Sequence, residues 1–290
     1  MNARRILIMV TLCLLPAKEK RGLVKQPRKL QALLTENPEV AMSDFRVKSI
    51  LVTGSNRGIG FEFVQQFLKS ENPPEIIFAT CRDPESPRSQ ELKNLSTKNP
   101  NVIVIQLDAT DPASVTSSVL EVQRHMNGKQ LDLLINNAGV LTHNNLESET
   151  SEDMLNVYKI NVVGPMLVTQ AFYPLLKRAE GQRKSAIVHI SALLGSLEDL
   201  PKLFSHFPVI SYRCSKAALN MLSRCHAEGY KQDGIISIAI HPGWVKTDMG
   251  GDQAPLTKEQ SVSKMIKIIT TLNEGQSGTF VDWEGNIIPW

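Results

Sequence analysis

Cysteine is scarce in this chain, with four residues in 290, at positions 13, 81, 214 and 225, and no C-x-x-C pair among them. Cysteines so few and so scattered do not make a disulfide framework, which favours a reducing compartment. The six histidines are spread in the same way, without the spacing that gathers ligands around one ion, so no metal is expected. Aromatic residues make up 6% of the chain and do not interleave with its basic residues, and the formal charge is a mild +3, so a nucleic-acid surface is not expected. Apolar runs are too short to span a bilayer. Internal repeats, low-complexity blocks and long Gly/Ser/Pro linkers are missing after residue 44, which points to one domain over 44–290 that carries both cofactor and substrate.

The first 43 residues read differently. Arg4 and Arg5 precede the apolar run 6–15, the order of a signal peptide's charged and apolar regions, yet residues 16–21 offer no small-residue cleavage site. Residues 18–29 are basic and polar, with Pro27 among them, as in a flexible tail. Residues 1–43 are therefore an extension, disordered or targeting, and both readings stand. A cytoplasmic chain is expected, the alternative being one directed elsewhere by the apolar segment.

What is present is an alternation. Short β-branched runs at 47–53, 75–81, 102–107, 131–136, 185–191, 235–241 and 278–281 predict strands. Longer amphipathic stretches at 58–70, 86–95, 112–126, 151–178, 208–231 and 257–272 predict the helices between them. Strands such as Ile187-Val188-His189-Ile190 carry no polar alternation, which suits strands buried on both faces of a parallel sheet. The fold expected is α/β, a single domain built on a doubly wound sheet of about seven mostly parallel strands with helices on both faces. Its ligands would sit at the carboxyl ends of the strands.

Where the first strand meets the first helix the chain reads Thr53-Gly54-Ser55-Asn56-Arg57-Gly58-Ile59-Gly60. Glycines there allow a tight turn and close approach of the backbone to a pyrophosphate, whose charge meets free N–H groups and a helix dipole. The spacing G-x-x-x-G-x-G departs from the commoner dinucleotide fingerprint, and a glycine-rich turn alone proves little. Far downstream, Tyr212 and Lys216 stand four apart, on one face of a helix. A neighbouring ammonium favours the phenolate and would bring the phenol toward the working pH, making an acid or base for an alcohol–carbonyl pair. Ser191, at the end of a strand, could hold a carbonyl oxygen or simply cap a turn.

Taken together, Thr53-Gly54-x-x-x-Gly58-Ile59-Gly60, Asn136-Asn137-Ala138-Gly139, Asn161, Ser191, Tyr212, Lys216 and Pro242-Gly243 resemble the ordered motifs of the short-chain dehydrogenases/reductases. The resemblance runs from Arg46 to Trp290. Residues 241–251 and 280–290 resemble the sniffer-type carbonyl reductases and C-factor proteins within that family. It implies a Rossmann-like domain in which Tyr212 is the acid/base, Ser191 orients the reacting oxygen, and Lys216 binds the nicotinamide ribose and lowers the Tyr212 pKa. Asn161 would hold a water that relays protons to Lys216. The cofactor would meet Gly54, Ser55, Asn56, Arg57, Gly58, Ile59 and Gly60 in the glycine loop, and Asn137, Ala138 and Gly139 after the fourth strand. It would also meet Asp108 at the adenine, Pro242, Gly243, Val245 and Thr247 at the nicotinamide, and Tyr212 and Lys216. Asn137 also reads as a plain turn residue, and Asp108 as part of a helix lead-in.

Charge argues the choice of cofactor. A carboxylate after the second strand suits the ribose hydroxyls of NAD, whereas a 2′-phosphate needs a cation there. The chain places Arg82 at that point and Arg57 in the glycine loop, so NADP(H) is expected, with Asp83 as the competing observation. Ser191 and Tyr212 lie further apart than is usual in the family, and the extra residues 197–207 would form a lobe beside the substrate mouth lined by Phe204, His206 and Phe207, or an ordinary surface excursion. The function expected is NADP(H)-dependent reduction of an aldehyde, ketone or quinone. The alternatives are oxidation of a secondary alcohol at the same site and a non-catalytic NADP-binding regulator, against which the intact Tyr212 and Lys216 count. A small-molecule carbonyl or alcohol is the expected partner, with a homodimer left open.

Overall fold

The computed structural model describes residues 47–179 and 183–290. The described residues all belong to one compact unit, Phe45–Trp290. The apolar run 6–15 and the domain boundary placed at residues 43 and 44 lie outside the described residues.

Seven strands form one sheet: β1 (Ser49–Val52), β2 (Ile76–Cys81), β3 (Val102–Gln106), β4 (Leu133–Asn136), β5 (Ser185–Ile190), β6 (Ile235–His241) and β7 (Phe280–Asp282). Their order is β3-β2-β1-β4-β5-β6-β7, and every neighbouring pair is parallel. The sheet is the doubly wound one expected, parallel throughout. Both faces are covered, because successive side chains point to opposite sides of a strand. Ile50, Val52, Ile77, Val188 and Ile238 enter one core with Phe63, Phe67, Met265 and Ile269. Leu51, Phe78, Leu134 and Ile187 enter the other with Val122, Phe172 and Leu176.

The helices are α1 (Gly58–Lys69), α2 (Gln90–Lys98), α3 (Pro112–Met126), α4 (Ser151–Tyr158), α5 (Gly164–Leu176), the short α6 (Leu200–Leu203), α7 (Ile210–Gly229) and α8 (Lys258–Thr270). Their ends follow local chemistry. Asp111 accepts from Ala113 N ahead of Pro112 in α3, and Thr257 and Gln260 form a reciprocal capping box on α8.

One expectation needs correction. The stretch 151–178 is not a single α-helix, since a π-turn at Lys159–Val163 separates α4 from α5. The cause is visible at Asn161, whose side chain turns inward to accept from Val140 N and donate to Val140 O, both at 2.9 Å. Four residues on stands Pro165, which has no N–H, so the Asn161 carbonyl lacks its ordinary helical donor.

Candidate active site

The strand order reverses direction between β1 and β4, and ligands of open parallel sheets sit at the carboxyl ends beside such a switch. A cleft of about 710 Å³ opens there, lined from Gly54 and Arg57 at one end to Ser191, Tyr212 and Lys216 at the other.

Its floor is the glycine loop. Ser55 is buried and committed to structure, its N–H donating to Thr80 O at 2.8 Å and its hydroxyl to Val52 O at 2.7 Å. Gly54 and Gly58 take positive φ of 66° and 58°. A Cβ on Gly60 would lie 2.3 Å from Gly54 O and 2.5 Å from Asn137 Nδ2, so no side chain fits there. Asn137 donates to Thr53 O and Gly54 O, stapling the end of β4 to the loop. Helix α1 begins at this loop with no side-chain cap and no acidic residue in its first turn, which leaves its first N–H groups and dipole facing the cleft. This arrangement fits a pyrophosphate.

At the adenosine end, Arg82, Asp83, Ser86 and Arg88 line the cleft just after β2. Asp83 is turned to local work, as its carboxylate accepts from Glu85 N at 2.9 Å. Arg57, half exposed, forms an ion pair with Asp248 across the cleft. Asp108 accepts from the N–H and hydroxyl of Thr110, both at 2.8 Å. Burial pushes its carboxyl up, but the Thr110 bonds and the charges of Arg82 and Lys159 outweigh it and hold the carboxyl below its ordinary value.

The other end is dry. Tyr212 and Lys216, both in α7, are 8% and 4% exposed, and the Lys216 ammonium donates to Ile190 O at 2.7 Å while lying 5.5 Å from the Tyr212 ring centroid. Burial moves the two groups in opposite directions, pushing the Tyr212 phenol up and the Lys216 ammonium down to about 8. Burial is the cause of the upward shift of Tyr212, against the lowering by Lys216 that the resemblance implies. Ser191 follows β5, its hydroxyl donating to Asn220 Oδ1 at 2.6 Å. Asn161 lies behind, donating to Ser215 Oγ at 2.9 Å, and Ser215 donates to Tyr212 O, so the π-turn is tied to the helix bearing the tyrosine.

The family model described as short chain dehydrogenase matches residues 48–257. The chain belongs to the short-chain dehydrogenase family. Among solved structures, the NADPH-bound carbonyl reductase from chicken fatty liver is 48% identical with a TM-score of 0.82, over 84% of this chain and 100% of that one. The carbonyl reductase Sniffer of Drosophila melanogaster is 32% identical with a TM-score of 0.80, over 84% and 100%. The C-signal protein of Myxococcus xanthus is 38% identical over 161 residues, 55% of this chain and 93% of that protein. The sniffer and C-factor resemblance carried by the C-terminal motifs agrees with these matches.

In this short-chain dehydrogenase the cleft wall includes Gly54, Asn56, Arg57, Gly58, Ile59, Arg82, Asp108, Asn137, Ala138, Gly139, Ser191, Tyr212, Lys216, Pro242 and Thr247 of the residues anticipated. Ser55, Gly60, Asn161, Gly243 and Val245 stand behind that wall. Val245 is buried and pairs with Leu256, and Gly243 turns at φ 83° where a Cβ would strike the Leu256 side chain at 2.4 Å. Sequence reading missed Arg88, Lys159, Asp248 and Met249 on the wall, and Asn220 beneath it. Asn220 had a signal, since it continues the Tyr212, Lys216 spacing by one more turn.

Residues 197–207 carry the short α6, and Phe204, His206 and Phe207 are not on the cleft wall. Phe204 lies under the Arg213 guanidinium, Phe207 packs edge-on against Trp244 at 5.5 Å between centroids, and His206 is exposed. Arg213, buried between Tyr212 and Lys216 in sequence, donates to Phe207 O at 2.7 Å and Leu194 O at 3.4 Å, binding this segment to α7.

Proposed function

We propose that this short-chain dehydrogenase is an NADP(H)-dependent carbonyl reductase acting on an aldehyde, ketone or quinone. The observation that carries the reading is the convergence of Tyr212, Ser191 and Lys216 on the dry end of a cleft whose other end presents a phosphate-ready loop and Arg82 and Arg88. The chicken enzyme that it resembles binds NADPH. A bound reduced nicotinamide supplies the hydride. The chain's own residues then deal with the oxygen. Tyr212 gives it a proton, Ser191 donates a hydrogen bond to it as charge develops, and Lys216 holds the ribose and keeps a positive charge close by.

Burial keeps the Tyr212 phenol protonated, the form that a proton donor to the carbonyl oxygen must have, and the same group would serve the reverse oxidation. The Asn161 side chain is tied to Val140 and Ser215, so its backbone carbonyl, to which Pro165 offers no N–H, takes the role of holding a relay water. Arg82 and Arg88 fork onto the 2′-phosphate, with Arg57 shared between that end and Asp248.

A panel of aldehydes, ketones and quinones, followed by loss of reduced-nicotinamide absorbance with NADPH and with NADH, tests the reading. Turnover of at least one carbonyl class with a preference for NADPH supports it. No turnover with either cofactor, by a chain that still binds NADPH, removes the catalytic assignment and leaves a binding protein.

A further inference from the structure

We propose that Asn220 is a positioning residue for the Ser191 hydroxyl, holding its proton while no substrate is present and releasing it toward the substrate oxygen by turning its amide end for end. The inference rests on the carbonyl-reductase reading above and assigns a residue outside the Tyr212, Ser191, Lys216 and Asn161 set.

The geometry is simple. Tyr212, Lys216 and Asn220 succeed one another at four-residue intervals in α7, so all three face the sheet from one side of the helix. Ser191 and Asn220 are 1% and 2% exposed, out of reach of bulk water. Their bond, at 2.6 Å, is short for a neutral pair, and in it Ser191 Oγ is the donor. A serine hydroxyl has one proton and two acceptor lone pairs. With that proton on Asn220, Ser191 has only lone pairs to show the cleft, and a carbonyl oxygen gaining negative charge would be repelled by them.

Ser191 can help only if its proton turns toward the substrate. That rotation would leave the Asn220 oxygen facing a serine lone pair, an unsatisfied and repulsive contact in a buried place. A carboxamide escapes it by rotating to present its N–H, which then donates to Ser191 Oγ. The rotation gives up the Asn220 Nδ2 bond to Gly195 O, which is long at 3.5 Å, and turns the amide oxygen toward that carbonyl, a cost that the new bond to Ser191 has to offset. A chain of donors from Asn220 through Ser191 to the substrate oxygen also polarises each member in the same sense. A carboxylate of the same shape has no N–H to offer and would keep the Ser191 proton for itself.

Asn220→Asp therefore separates this role from simple packing. Its kcat should fall about 10²-fold, the cost of a lost oxyanion donor, and should come within about twofold of Ser191→Ala, with the NADPH dissociation constant unchanged. Adding Asn220→Asp to Ser191→Ala should cost nothing further. Should a buried carboxylate prevent folding, which a thermal melt shows, Asn220→Ala carries the same cycle. It should lower kcat in the parent and leave the Ser191→Ala variant as it is. Losses that multiply across the two positions, or an Asn220→Asp enzyme with parental kcat, overturn the proposal. The underlying reading fails separately. If Tyr212→Phe turns over like the parent, the site assignment is wrong, whereas a dead Tyr212→Phe beside fully active Asn220 variants removes only the role of Asn220.

Discussion

The two ends of the cleft work by opposite means. At the end of the cleft beside the glycine loop and β2, Arg57, Arg82 and Arg88 are all exposed and their charges stand in water. At the other end Tyr212, Lys216, Ser191 and Asn161 are all buried, and the surroundings decide what each group can do. Burial alone drives the phenol up and the ammonium down to about 8. A cation among exposed residues can be replaced at moderate cost. A buried proton donor is harder to replace, because bulk water has little access to its place.

The hardest test of that contrast is Tyr212→Phe. The ring and its packing against Ala192 and Val209 remain, and only the proton is lost. Steady-state kinetics should show kcat reduced by about 10²-fold or more with NADPH affinity nearly intact. Residual turnover close to that of the parent would mean that a buried phenol is not the donor and that the two ends do not differ as described.

A milder effect is expected at the open end. Arg82→Asp or Arg88→Asp should weaken NADPH much more than NADH, by about tenfold to a hundredfold, the worth of a charge-assisted contact to a phosphate. Raised salt should narrow the gap between the two cofactors in the parent, because these charges are exposed. Titration of each cofactor by protein fluorescence gives the ratio, and equal losses for both cofactors would detach the arginines from the 2′-phosphate.

Legibility in the sequence followed the same divide in part. Strands whose both faces are buried announce themselves through unbroken β-branched runs, and β6 was read to its terminal residues, Ile235–His241. Tyr212, Lys216 and Ser191 stood out because their types and order carry chemistry. The π-turn at Lys159–Val163 did not, since its cause is a pair of bonds from Asn161 to Val140, twenty-one residues earlier. Arg88 was passed over because a charge in an exposed polar stretch has no period to mark it. Residues 197–207 were expected near the substrate but could not be placed, for what binds them is Arg213, a residue whose partners Phe207 O and Leu194 O are backbone atoms with no signature in the sequence.

The buried end also carries a cost in acid. His189 of β5 and His226 of α7 stack with ring nitrogens 3.2 Å apart, and Asn136 reaches the other ring nitrogen of His189. Burial lowers both, His226 to about 4, and lowers His241 beside Trp283 to about 4 as well. An unfolded histidine takes up its proton near pH 6.5, whereas folded His226 and His241 resist until about 4, so the unfolded chain binds more protons between those values. Stability should therefore be full above pH 6.5 and fall as the pH drops toward 4, by up to about 3 kcal/mol for a group moved that far. Thermal melts between pH 8 and 4.5 should show this fall, and His226→Gln should flatten it by a few degrees. An unchanged slope in His226→Gln would place the acid sensitivity in the carboxylates instead.

The smallest effect concerns residues 1–43. A match covering 84% of this chain accounts for 100% of the chicken carbonyl reductase, and the family model begins at residue 48. The glycine loop, the arginines and the buried quartet all lie beyond that point, and the first strand starts at Ser49. A chain beginning at Asp44 keeps all of these and loses no strand of the sheet. It should melt within about 2 °C of the full chain, a shift worth about 1 kcal/mol or less in a domain of this size, and bind NADPH with the same affinity. A drop of ten degrees, or weakened NADPH binding, would show that residues 1–43 support one end of the cleft, and comparing carbonyl turnover with cofactor affinity in the shortened chain would reveal which.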